Sequence, residues 1–127
     1  MNSNYKKLFI AICEDMEVTA ERAMEENKKQ NKLKGYRDAK EMRSNFARIH
    51  DLLISKKIDY IPTKKDFTTI SIGAVLVAKQ IEKEVKEKQL VLDGYKQDLL
   101  PKLQEIIKCK DDNEIKEKVD EVFKTNN

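Results

Sequence analysis

Residues 67–85 read FTTISIGAVLVAKQIEKEV, and their folding decides the class of the protein. The first half is rich in β-branched residues, which suit a strand. The second half is charged. One apolar stripe nevertheless runs through both halves: Phe67, Ile70, Ala74, Val77, Ala78, Ile81 and Val85. A helical period that survives such a change in composition predicts a helix. It should begin near Lys64. Pro62 disfavours helix at Ile61, and Thr63 with Asp66 resembles a capping box with a shorter acid. Gly73 costs such a helix about 1 kcal/mol relative to Ala, so it is expected to mark close approach by another helix. The stretch is apolar on more than one face, which predicts the centre of a bundle.

Two further helices are expected upstream. From about Asn4 to Lys29, Tyr5, Phe9, Ile12, Met16, Ala20, Ala23 and Asn27 share a stripe, with Ser3 as a cap. The polar tract NKKQNKLKG then closes the helix or forms a loop. From about Tyr36 to Lys56, Tyr36, Ala39, Met42, Phe46, Ile49 and Leu53 form a second stripe. Each stripe needs cover, so a helical hairpin is predicted. Ile58, Tyr60 and Ile61 should pack as an extended segment over one end.

Downstream, Leu92, Tyr95, Leu99, Leu103 and Ile106 continue the stripe of the third helix. Pro101 suits a first helical turn capped by Asp98 but would kink a helix interior. Either one very long helix reaches about Lys108, or Asp93-Gly94 breaks it and a new helix begins near Tyr95; a long third helix with a break or kink near 93–101 is the favoured reading. Asp111 to Asn113 reads as a turn and cap. A short last helix then carries Ile115, Val119, Val122 and Phe123, and the terminal KTNN should fray. The prediction is an all-α, compact helical bundle of four to five helices, a single helical domain over 1–127.

Composition agrees. The chain has 127 residues, of which only three are Gly and two are Pro, too few for a many-turned β-sandwich. No apolar run is long enough to span a membrane, and MNSNYKK has no signal-peptide core. Cys13 and Cys109 form no CxxC pattern and read as small hydrophobes in a reducing, cytoplasmic setting. The surplus of apolar stripe suggests a homodimer.

The net charge of +3 hides an uneven distribution. Residues 1–27 carry net −3, residues 28–65 net +8 and residues 66–127 net −2. The basic middle offers Lys28, Lys29, Lys32, Lys34, Arg37, Lys40, Arg43 and Arg48 as candidate contacts. They could meet an acidic protein surface or nucleic-acid phosphates, or simply solvate a loop and a helix back face. Arg37 and Arg48 fall away from the apolar stripe, and Lys40 and Arg43 toward its flanks. Glu41 and Asp51 dilute the outer face.

Motifs for catalysis are missing. His50 is the only histidine and flanks the second stripe, as a packing or rim residue would. No G-x-S-x-G elbow, ExxH signature, Walker loop or dinucleotide fingerprint occurs. Glu82, Glu84 and Glu87 alternate with Lys83, Lys86 and Lys88, as on a solvated helix. No catalytic, metal-binding or cofactor-binding residue is predicted.

NYKKLFIAICEDMEVTAERAMEENK at 4–28 and GYRDAKEMRSNFARIHDLL at 35–53, with its GY-x-x-AK-x-MR opening, carry a resemblance. They resemble small early-region proteins of phages of low-GC Gram-positive bacteria. One such type, the SaV protein, makes a phage sensitive to a host abortive-infection protein. The resemblance covers roughly the first 90 residues and transfers no functional residue. It implies a non-enzymatic phage or mobile-element protein acting by protein–protein interaction, with a host defence or replication protein. The alternative is a nucleic-acid-binding accessory factor of phage replication or recombination.

Overall fold

A computed structural model describes residues 3–84 and 89–123. The chain is all-α. α1 (Ser3–Lys29) and α2 (Leu33–Ile54) form a long antiparallel hairpin. α3 (Lys64–Lys83) packs against α1 and against the C-terminal half. α4 (Gln89–Gly94), a π-helical turn (Tyr95–Leu99) and α5 (Leu100–Ile107) follow one another directly. α6 (Asp112–Val122) closes the bundle.

FTTISIGAVLVA is helical, and its stripe supplies Phe67, Ile70, Ala74, Val77 and Ala78 to the core. Periodicity outweighed strand propensity because every other stripe needed a helical partner. Phe9 joins three elements. Its ring meets Phe67 edge-on at 5.9 Å and Phe123 at 5.4 Å. Ile12, Met16, Phe46, Ile49, Leu53, Leu99, Leu103 and Ile106 complete a buried centre. Each such side chain contributes roughly 1.5–3 kcal/mol on leaving water.

Gly73 is a point of close approach, as expected. A Cβ there would sit 2.9 Å from Phe46 Cζ and 3.1 Å from Ile12 Cγ2. Gly94 has no such neighbour.

Boundaries show what the stripes alone did not. α1 ends at Lys29, as expected, whereas α2 starts at Leu33, ahead of Gly35 and the expected Tyr36. Asn31 takes a left-handed φ of 57°. The Lys32 amide bonds back to the Asn27 carbonyl at 2.8 Å and the Asn31 amide to Lys28 at 3.2 Å. This is a left-handed helix stop in which Asn fills the place usually taken by Gly. Gly35 lies inside α2, where it allows Asn27 to approach.

Thr63 caps α3 by accepting the Asp66 amide at 3.2 Å. The Asp66 side chain does not return to the cap but turns inward. Asp111 caps α6 through the Glu114 amide at 3.0 Å.

The expected long third helix divides at two places. α3 stops at Lys83, where Glu84 becomes extended, a break that the stripe did not announce. The irregularity expected near 93–101 is the π-helical turn, closed by the Leu100 amide bonding to the Tyr95 carbonyl. Pro101 follows at once, so the widened turn accommodates its missing N–H and its ring. Asp93-Gly94 does not break the helix, and Asp98 binds Tyr5 and Lys102 instead of capping. Val85, Lys86, Glu87 and Lys88 lie outside the described residues, as does KTNN.

Candidate interaction surface

The fully buried core contributions of α1 end at Met16 and those of α2 begin at Phe46, with half-buried Met42 packed against the same cluster. Farther along the hairpin the two helices cover mainly each other. Ala20 and Ala39 are buried outside the main core, and Asn27 lies against Gly35. Small residues let the helices approach closely. The hollows at this end are lined by α1 and α2 alone. Among the described residues, the hairpin therefore continues past the body as a two-helix arm. From Ala23 to Lys29 it rises roughly 10 Å, at about 1.5 Å per residue.

Six of the eight predicted contact residues gather at the arm's tip. Lys28 and Lys29 end α1, Lys32 precedes α2, and Lys34, Arg37 and Lys40 lie on the opening turns of α2. All six are exposed, and none forms an ion pair among the described residues. Residues 27–40 hold these six cations and one carboxylate, Asp38. The positive end of the α2 dipole adds to this field, with no acidic residue in its first turn.

The other two belong elsewhere. Arg43 Nε bonds Glu21 Oε1 at 3.0 Å across the hairpin, an exposed pair worth at most about 1 kcal/mol. Arg48 reaches away from the tip to Asp66. Its two terminal nitrogens donate to the two carboxylate oxygens at 2.6 and 3.1 Å. Tyr60 donates a third bond to the same carboxylate. Burial alone would push the Asp66 carboxyl up, but the Arg48 and Tyr60 bonds outweigh it and hold the group below its usual range. Burial, with the bond to Asp66, pushes the Tyr60 phenol up to about 12. This cluster ties the extended segment and α2 to the start of α3.

Beside the basic tip lies an open hollow of about 410 Å³. Asn27, Lys28, Asn31, Lys32, Leu33 and Tyr36 line it. Leu33 is 61% exposed although it begins a helix. Leu33, Tyr36, Arg37 and Lys40 follow the i, i+3, i+4, i+7 spacing, so they share one face of α2. The sequence reading overlooked Leu33 and Tyr36 as contact residues. The available signal was one leucine isolated within NKKQNKLKG.

The groups capable of catalysis are placed differently. Cys13 is fully buried, and burial pushes its thiol up to about 12, far from a reactive thiolate. His50 is half-buried in the hairpin seam. Its Nε2 lies 3.4 Å from Glu14 Oε1 and its Nδ1 3.8 Å from Glu17 Oε2. Cys109 is half-buried and free. Among the described residues, no cluster of His, Cys, Asp and Glu could hold a metal, and no helix is long and apolar enough to cross a membrane.

No protein-family model, curated protein or solved structure matches the chain.

Proposed function

We propose that this chain is a non-enzymatic binding protein whose two-helix arm docks an acidic surface on another protein. The observation carrying this reading is the set of six cations, unpaired among the described residues, on a projecting tip with a single carboxylate among them. Such a field speeds encounter with an acidic partner and selects against basic ones. The tip carries a single aromatic ring, Tyr36, where a base-stacking platform uses several. This scarcity of stacking rings favours a protein over a single-stranded nucleic acid. The resemblance to phage early-region proteins supports a bacterial, cytoplasmic partner from replication or host defence.

The test is affinity purification with the wild type and a variant carrying Lys28→Glu, Lys32→Glu, Lys34→Glu and Arg37→Glu. The retained protein is then identified and rebound in purified form. Wild type should hold a protein with an acidic segment, unaffected by nuclease, and the variant should lose it. Retention abolished by nuclease would instead establish the nucleic-acid reading. Equal retention by both proteins would remove the tip from consideration.

Self-association is a separate proposal. α3 leaves Ile72, Val75 and Leu76 exposed along one side. Light scattering at high micromolar concentration should show a dimer, and a strict monomer overturns it.

A further inference from the structure

The basic tip explains attraction to an acidic partner but not the apolar surface at its centre. Leu33 is the most exposed apolar side chain of the hairpin, and it stands beside the hollow rather than over the core. Lys28 and Lys32 border the hollow, where lysine stems provide apolar walls while their ammonium groups stay in water. Arg37 and Lys40 lie along the same face of α2 as Leu33 and Tyr36. An apolar floor is thus ringed by cations. A partner's apolar group seated there would lose its water inside a charged rim, as at an interface hot spot.

Resting on the function proposed above, we infer that the arm recognises an acidic peptide segment carrying a bulky apolar residue. That residue seats against Leu33 and Tyr36, and flanking carboxylates meet Lys28, Lys32, Arg37 and Lys40. Charge complementarity selects the acidic segment. The hollow selects the apolar anchor, since about 410 Å³ is ample for a leucine or phenylalanine side chain. A phosphate backbone would use the cations and leave the apolar floor uncovered.

The experiment uses the full chain and fluorescent peptides of glutamate with a single central leucine or a single central alanine. An oligothymidine of matching length is the third probe. Fluorescence anisotropy is read at low and physiological salt. The leucine peptide should bind about tenfold more tightly than the alanine peptide, which corresponds to about 1.4 kcal/mol. Leu33→Ala should weaken the leucine peptide about tenfold and so erase that preference. Because Leu33 is exposed, an unchanged circular dichroism spectrum is expected for the variant. Lys28→Glu with Lys32→Glu should weaken both peptides.

Equal binding of the two peptides, both sensitive to the charge variant, would overturn the anchor while leaving the acidic-partner function intact. Binding of the oligothymidine alone would overturn both. Failure of either peptide to bind at low salt would overturn the anchor.

Discussion

Arg48→Ala is expected to lower the unfolding free energy by about 3 kcal/mol, an unusual loss for a side chain that is 47% exposed. The reason lies in its partner. The Asp66 side chain is 3% exposed and meets Arg48 through both oxygens. Removing the guanidinium leaves a buried carboxylate with only Tyr60 and no formal counter-charge in contact. Breaking such a pair from one side usually costs about 3–5 kcal/mol. Solvent around Arg48 places the expectation at the lower end. Asp66→Asn should cost less, about 1–2 kcal/mol, because the stranded arginine can turn to water. Replacing both partners with apolar residues should recover much of the loss. Urea titrations of the three variants measure this order. A loss below about 0.5 kcal/mol for Arg48→Ala would show that Asp66 does not depend on it.

The same pair predicts a pH dependence. The folded-state pKa of Asp66 is depressed, so its stabilisation is present above the unfolded carboxyl value of about 4. It is lost as pH falls through the lower, folded value. In Arg48→Ala, burial acts without the arginine to oppose it, and protonation relieves the stranded charge. The stability gap between wild type and variant should therefore narrow on acidification from about pH 5 to pH 3.

Gly73→Val is expected to destabilise the protein by about 2–3 kcal/mol. A first added carbon already falls inside contact distance of Phe46 and Ile12. Both neighbours are essentially buried and belong to other helices, so relieving the clash requires α1, α2 and α3 to shift together. Gly73→Ala should show a smaller loss, about 1 kcal/mol, because better helix propensity offsets part of the overpacking. Gly94→Ala makes the contrast. Its surroundings are open, and it should stabilise by about 0.5–1 kcal/mol. Thermal or urea unfolding of the three variants separates the two glycines. Phe46→Leu should shrink the cost of Gly73→Ala, a coupling that a double-mutant cycle reads directly. Equal stability for Gly73→Ala and Gly94→Ala would refute the close approach.

The helices were legible because each buries one stripe, and a stripe has a period that local sequence records. Gly73 was legible for the same reason, as a costly residue inside a strong pattern. Asn31 was harder, since its left-handed backbone sits in a tract where asparagine and glycine both offered a stop. The break at Glu84 has no glycine or proline to mark it. Arg48 was grouped with the tip because charge along the chain says nothing about distance in space. Its partner Asp66 is 18 positions away on another helix, where it resembled part of a cap. Leu33 was hidden by the opposite effect, because a single apolar residue creates no period.

The arm also separates what the fold requires from what the tip presents. Its seam relies on Ala20, Ala39 and the Asn27–Gly35 contact, while Lys28, Lys29, Lys32, Lys34, Arg37 and Lys40 support nothing beneath them. Substitutions at those six positions should therefore accumulate freely during evolution while the bundle stays intact. On the docking function proposed above, recognition can drift at the tip in a lineage facing a changing partner without the body having to be reinvented.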